Sequence, residues 1–155
     1  MNKARFRYAL EPILLTRRWE LDALMLELGD SNSALARQQN ALDELDERIA
    51  IAQADWLGGH GAAGALTVER FARYSRYLDD LARLRGEAQV RVETLAAERD
   101  ALVERVVAAK RGVEAVEQHR DDMKAKFVQM RASGDFKLAD DQWNTLVARS
   151  VSHAA

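Results

Sequence analysis

The stretch GGHGAAG at 58–64 contains the spacing G-x-G-x-x-G of a dinucleotide-binding loop. Such a loop binds a pyrophosphate because its glycines join a β-strand to the N-terminus of a helix and let the backbone approach the ligand. Here the preceding residues have the pattern of a helix, and no strand-like alternation flanks the loop. Ala65 and Leu66 also stand where a Walker A loop needs lysine and serine or threonine. We therefore expect a turn between helices and no cofactor.

The other residues that could do chemistry are scattered. His60, His119 and His153 are far apart, and none lies four residues from a second metal-ligating residue. The absence of cysteine excludes disulfides, thiolate nucleophiles and cysteine-ligated metals. Acidic pairs such as Asp79-Asp80 are typical of solvated helix faces. Catalysis by serine, histidine and aspartate needs a preorganised pocket, which two paired helices do not provide. We expect no metal site and no enzyme.

The composition is that of long helices. Charged residues make up 31% of the chain, aromatic residues make up 6%, and Pro12 is the single proline. The net charge of −2 gives no general attraction to nucleic acid or to anionic membranes. No apolar run is long enough to span a bilayer, and charged residues interrupt the only candidate for a signal peptide. We expect one domain, 1–155, in the cytoplasm.

Two rows of apolar residues at seven-residue spacing predict two long helices, each with one apolar seam. The first row is Leu14, Leu21, Leu28, Leu35, Leu42, Ile49 and Trp56. The second row is Tyr74, Leu81, Ala88, Leu95, Leu102, Ala109, Val116, Met123 and Met130. A companion row in the second helix, from Phe71 to Phe127, is apolar at six of its nine positions. The two seams are expected to bury each other.

Start and stop residues give the expected boundaries. Pro12 suits the first position of a helix, and Gly58-Gly59 suits the end of one. Thr67 is expected to cap the second helix, and Ser133-Gly134-Asp135 to end it. The predicted elements are helix one at about 12–57, a glycine-rich turn at 58–66, helix two at about 67–132 and a tail at 133–155.

Two alternatives concern the helices. GDSNS at 29–33 has the composition of a turn, but Leu28 and Leu35 keep the seven-residue phase across it, which favours a continuous helix. A parallel dimer through each helix would leave the glycine-rich loop bulging from its middle. The sequence favours an all-α fold: a long antiparallel two-helix coiled coil (an αα-hairpin rod) with a short C-terminal helical tail.

Such a hairpin leaves apolar residues unpartnered at the end that carries both termini, because helix two is the longer one. The overhanging residues are Val116, Met123, Phe127 and Met130. Residues 1–11 and 136–147 add further apolar side chains. These segments fold onto each other and cap the end, form a binding site for a partner, or do both. Residues 1–20 carry five basic side chains against two carboxylates, so this end is cationic.

The segment RFRYALEPILLTRRWELDAL at 5–24 resembles the start of the FliJ/YscO family, the stalk proteins of flagellar and virulence type III secretion ATPases. The similar motif is an aromatic residue followed by leucines and an arginine, here Tyr8, Leu10, Ile13, Leu14 and Arg17. The two-helix layout, the small-residue turn, the restart FARYSRYLDDL and the ending FKLADDQWN are also similar. We expect the HrpO-like virulence branch ahead of the flagellar branch.

The resemblance implies a non-catalytic stalk. Its end with both termini would enter the pore of a hexameric type III secretion ATPase, promote assembly of the hexamer and raise ATP hydrolysis. The stalk would also contact the export gate protein and, as in some members, exchange export chaperones. It would be a monomer when free, cytoplasmic, and peripherally associated with the secretion apparatus at the inner membrane, without membrane insertion or nucleic-acid binding. The ATPase-facing residues would be Arg5, Arg7, Tyr8, Leu10, Arg17, Arg18, Phe127, Met130 and Arg131.

The alternative function is a general coiled-coil chaperone or tether. It would bind exposed apolar segments of client proteins through Phe127, Met130 and Trp143, without any effect on an ATPase. A rod that binds membranes or nucleic acid is a third possibility, which binding that falls steeply with salt would support.

Overall fold

The computed structural model describes residues 5–58 and 67–152, which form two helices and no strand. Helix α1 spans Glu11–Gly58 and helix α2 spans Val68–Ser152, with 48 and 85 residues. Contacts divide the chain into two compact units. Unit 1 combines Met1–Leu21 with Ala108–Ala155, and unit 2 is Asp22–Val107. Each unit therefore contains a piece of both helices, and the expected single domain stays a prediction.

Helix α1 begins one residue earlier than predicted, at Glu11. The amide of Leu14 donates to the carbonyl of Leu10 at 3.0 Å, which is the first bond of the helical pattern. Pro12 lies in the first turn, where a backbone N–H has no partner within the helix and its absence costs nothing. The carboxylate of Glu11 in the same turn favours the positive end of the helix dipole.

Helix α2 begins with the predicted cap. The amide of Arg70 donates to Oγ1 of Thr67 at 3.2 Å, and the amide of Phe71 donates to the carbonyl of Thr67 at 3.0 Å. Oγ1 of Thr67 thus satisfies one of the amide groups that the first turn leaves unpaired, and its carbonyl accepts the first bond of the helical pattern. Helix α1 ends at Gly58 as expected. The rest of the predicted glycine turn, with His60, lies outside the described residues.

Two stretches that resemble turns are helical. Helix α1 continues through GDSNS, where the hydroxyl of Ser33 donates to the carbonyl of Gly29 at 3.1 Å. The prediction that Ser133-Gly134-Asp135 ends α2 is wrong, because α2 continues to Ser152. A glycine inside a helix costs only about 1 kcal/mol relative to alanine, and no proline follows it to stop the helix. The predicted tail is therefore the last part of α2, apart from 153–155 with His153, which lie outside the described residues.

Unit 2 has a core of seam residues. Leu42, Ala88 and Val92 are buried together, with Leu35 and Leu45 packed against them. Ala88 is fully buried, and its small side chain lets the two helix backbones approach each other.

Ion pairs and aromatic contacts give the direction of the helices in unit 2. Asp46 on α1 pairs with Arg85 on α2, whereas Glu27, earlier in α1, pairs with Arg105, later in α2, at 3.9 Å. Where α1 ends and α2 begins, the Trp56 ring stacks on Tyr74 with centroids 4.2 Å apart. The helices of unit 2 are therefore antiparallel.

Unit 1 repeats this arrangement with fewer buried residues. Leu14 is fully buried and Val113 is 6% exposed. Contacts from Phe6 to Phe127 and from Arg18 to Glu117 show that α1 and α2 are antiparallel here too. The predicted fold class, an all-α pair of long antiparallel helices, is confirmed. The helices cover each other within one chain, unlike the helices of the parallel dimer.

Burial along the predicted seam is uneven. The buried seam residues are Leu14, Leu42, Leu81, Ala88 and Leu102. The half-buried ones are Leu21, Leu28, Leu35, Ile49, Trp56, Tyr74, Leu95, Ala109 and Val116. Met123 and Met130 are exposed.

Replacement of the core residue Leu42 by alanine is expected to destabilise unit 2. It removes a buried side chain from the contact with Ala88 and Val92, so the loss should be about 2–5 kcal/mol. Leu26→Ala is the matched control, since Leu26 lies on the same helix but is 74% exposed, and it should change stability by less than about 0.5 kcal/mol. Urea unfolding followed by circular dichroism measures both. Equal losses for the two variants would contradict the packing described for Leu42.

Candidate functional site

The segment before α1 lies against α2 through aromatic rings. The Phe6 ring contacts Phe127, with centroids 5.6 Å apart and planes tilted by 51°. The Tyr8 ring contacts His119 in the same tilted way, with centroids 5.7 Å apart. Both distances lie in the range that favours edge-to-face packing of rings. These contacts hold the residues before α1 beside α2.

Tyr8 also makes polar contacts with α2. Its hydroxyl lies 3.3 Å from the carbonyl of Val116 and 2.8 Å from Nδ1 of His119. The phenol has one proton to donate, and a carbonyl can only accept. Both bonds therefore form together only when Tyr8 donates to Val116 and His119 donates from Nδ1. The contact thus selects the histidine form that carries a proton on Nδ1.

Arg17, the arginine of the family motif, and its neighbour Arg18 both contact α2. Nη2 of Arg18 lies 2.6 Å from Oε1 of Glu117, and both side chains are more than one third exposed. Arg17 reaches Gly112, where a Cβ atom on the glycine would lie 2.7 Å from Nη1 of the arginine. That distance is too short for a real contact, so the missing side chain at Gly112 makes room for the Arg17 guanidinium. Sequence spacing within one helix gave no sign of either pairing.

A cationic groove lies along the segment before α1. It has a volume of about 670 Å³, and four of its lining side chains are basic: Arg5, Arg7, Arg120 and Lys124. Glu11 and Asp121 supply two carboxylates, and Asp121 lies 3.7 Å from Arg120. Arg5 and Arg7 are exposed, with no ion pair to any of the described residues. The groove thus carries an excess of positive charge that faces solvent.

A second groove, of about 420 Å³, shares Phe6 and Arg7 with the first. Its apolar lining comes from Phe6, Met123, Phe127 and Met130, and its charged lining from Arg7 and Lys126. Met130 is 69% exposed, so its thioether is available to a partner. A surface that is both apolar and cationic results.

The structure brings only part of the predicted ATPase-facing set together. Arg5, Arg7 and Tyr8 share the first groove, while Phe127 and Met130 share the second with Arg7. Arg17 and Arg18 lie elsewhere in unit 1, against Gly112 and Glu117. These positions are about ten to fifteen residues of α2, or roughly 15–22 Å, from Phe127. Leu10 is 37% exposed, and Arg131 is exposed.

Sequence reasoning missed the α2 residues that receive the first segment. His119 contacts this segment, Arg120 and Lys124 line its groove, and Glu117 pairs with Arg18 on α1. Arg120 lies in the companion row of the seam, which was the one signal that its stem would reach the first segment. Within 5–58 and 67–152, no cluster of three metal-ligating side chains occurs. Among the described residues, neither α1 nor α2 has a stretch apolar enough to cross a membrane.

A family comparison covers nearly the whole chain. The model described as "Flagellar FliJ protein" matches residues 6–152, which takes in the first segment, both helices and the last part of α2. The chain belongs to the FliJ family. No curated protein and no solved structure matches it significantly.

Family membership gives the general role of the molecule. FliJ proteins are non-catalytic stalks of the export apparatus, and the family is associated with the export ATPase. The predicted family is thereby confirmed, and so is the general role in export. The matching description is flagellar, so the expected HrpO-like virulence branch stays a prediction. The all-helical architecture of this FliJ protein agrees with a role exerted through contact.

The space at Gly112 leads to a stability prediction. Gly86 and Gly112 both lie inside α2, but nothing lies within 4 Å of a Cβ at Gly86. Gly86→Ala should therefore gain about 1 kcal/mol from helix propensity. Gly112→Ala should gain measurably less, because the Arg17 guanidinium must move.

The measurement is thermal unfolding of both variants, alone and combined with Arg17→Ala. In the Arg17→Ala background the two alanine substitutions should become equally stabilising. A full gain from Gly112→Ala with Arg17 intact would show that the guanidinium does not occupy the space.

Proposed function

We propose that this FliJ protein is the central stalk of a type III secretion export ATPase. Its unit 1 end would insert into the pore of the hexamer, promote assembly and raise ATP hydrolysis. The observation that carries the proposal is the family match over residues 6–152, combined with the exposed cationic and apolar surface of unit 1. A positive surface of this kind complements a pore lined by acidic loops, and complementary charge speeds association and sets orientation.

The predicted residues divide into two roles under this proposal. Exposed side chains would touch the ATPase: Arg5, Arg7, Leu10, Met130 and Arg131. The others would hold the first segment and α1 on α2, through the contacts of Tyr8, Arg17, Arg18 and Phe127. The arginines are divided by their existing contacts. Arg17 and Arg18 already have a neighbour on α2, whereas Arg5 and Arg7 make no ion pair with the described residues.

The wider role follows the family. The stalk would link the ATPase to the export gate protein and exchange export chaperones. It would work in the cytoplasm, peripherally associated with the apparatus at the inner membrane. One copy would enter each hexamer, because a single pore admits a single pair of helices.

A general chaperone or tether is the second candidate function. The exposed apolar side chains of α2 favour it, since Met130 is 69% exposed and Trp143 is 68% exposed. Such a protein would bind client segments through these residues and leave ATP hydrolysis unchanged. Stimulation of the ATPase is therefore the property that separates the two functions.

ATP hydrolysis by the cognate export ATPase, titrated with this chain, tests the stalk proposal. We expect stimulation that saturates near one chain per hexamer. Arg5→Glu combined with Arg7→Glu should reduce the stimulation at least about tenfold at low salt, because two charge contacts of up to about 1 kcal/mol each are lost and replaced by repulsions. The helix content should not change, since neither residue lies in a helix.

Arg73→Glu combined with Arg76→Glu is the matched control. These arginines are also exposed and make the same change in net charge, but they belong to unit 2. The control should stimulate like the wild type. Equal loss in both double variants would assign the effect to net charge, and absence of any stimulation by the wild type would favour the chaperone or tether.

A further inference from the structure

The apolar face of α2 changes after Met130. Continuation of the seam at the same spacing would use Gly134, Lys137, Asp141 and Asn144, none of which is apolar. A different set of residues is apolar instead, with gaps of four, three, four and three residues. This set, here called the terminal stripe, is Ala132, Phe136, Ala139, Trp143 and Leu146. The gaps are those of a second heptad seam.

The terminal stripe lies on the other side of α2 from the first seam. At 3.6 residues per turn, its mean direction is rotated by roughly 150° from the row that ends at Phe127 and Met130. Its large side chains are open to solvent, with Phe136 73% and Leu146 61% exposed. A continuation of α1 packing would not cover this face. The stripe therefore needs a separate partner to be buried.

We propose that the terminal stripe pairs with the same stripe of a second copy of this chain, in antiparallel orientation. In an antiparallel coiled coil each a position faces a d position of the other helix. With Phe136 and Trp143 at a, Phe136 faces Leu146 of the second copy, and Trp143 faces Ala139. Each bulky ring thus meets a smaller side chain, which is the complementarity that close packing requires.

Charges beside the stripe favour the same pairing. The antiparallel register places Asp135 opposite Arg149 of the second copy, and the two-fold symmetry repeats the pair. Arg149 also has a contact within its own chain, but a guanidinium has five N–H donors and can serve both. Asp140 lies opposite Asp140 of the second copy across the symmetry axis. This like-charge pair is a single unfavourable contact. Two favourable pairs thus oppose one repulsion.

A parallel pair would be worse in both respects. It would place Phe136 against Phe136 and Trp143 against Trp143, and it would bring Asp135 towards Asp140 of the second copy twice. Identical bulky residues and like charges at the same level disfavour this orientation. The sequence beside the stripe therefore selects the antiparallel dimer over the parallel one.

The pairing is expected to be weak and reversible. The stripe covers about two heptads per chain, well below the interface of a stable dimer, so a dissociation constant on the order of 100 µM is reasonable. The inference goes beyond the stalk function and does not rest on it, because it concerns the free chain. A dimer formed in this way would cover the last part of α2 until another partner displaces the second copy.

Sedimentation equilibrium of the full chain tests the dimer, from about 5 µM to 500 µM around the expected dissociation constant, at low salt. We expect a monomer–dimer equilibrium. Trp143→Ala should weaken it at least about tenfold, because the largest buried side chain of the interface is lost. Asp135→Arg should weaken it about tenfold, since two ion pairs become two repulsions.

The charge exchange gives the decisive comparison. Asp135→Arg combined with Arg149→Asp reverses both partners of each pair and should restore the wild-type dissociation constant. Asp141→Arg is the matched control, because it makes the same charge change on the side of α2 away from the stripe and should have no effect. Circular dichroism checks that every variant keeps its helix content.

Three results would overturn the proposal. A monomer at every concentration would leave the stripe to a different protein. Association that Asp141→Arg weakens as much as Asp135→Arg would reflect net charge alone. Failure of the charge exchange to restore the dimer would exclude the antiparallel register.

Discussion

Two helices that cover only each other can bury one narrow seam, and the remaining features of the chain depend on this constraint. Seven hydrophobic residues are buried in the described part, and all of them lie on the heptad rows. No polar or charged side chain is buried there. The core of each unit is therefore a line of contacts rather than a volume, and each contact supports mainly its neighbours. Functional side chains of the described residues then have to lie on an exposed surface, because one seam between two helices does not enclose them.

The first segment adapts this surface in unit 1. Phe6 and Tyr8 point their rings towards α2, so the backbone between and beside them is held in place without a helix of its own. The alternation leaves Arg5 and Arg7 facing solvent. The same short segment therefore packs its aromatic rings on α2 and exposes its arginines to solvent. A partner would meet a surface already ordered by intramolecular contacts, which reduces the entropy lost on binding.

The periodicity of the sequence predicted the structural features that depend on neighbouring residues along one helix. The heptad rows predicted both helices and the continuous path through Gly29, and residue type at the helix start predicted the cap at Thr67. A local stop motif failed at Gly134, because a cost of about 1 kcal/mol is small beside the propensity of the surrounding residues. The residue pairs between the two helices could not be predicted from the sequence. A seven-residue repeat on one helix pairs with the repeat on the other equally well after a shift by one heptad. Pairs such as Asp46 with Arg85 depend on that register.

The space at Gly112 bears on how the register is chosen. If α1 slipped by one heptad along α2, the Arg17 guanidinium would meet Arg105 or His119 instead of a glycine. One neighbour repels it by charge and the other occupies the same volume. Repetitive seams are prone to kinetic traps in which misaligned helices still bury leucine on leucine. A glycine opposite an arginine makes such traps shallower, and so helps a long repetitive chain to correct its alignment while it folds.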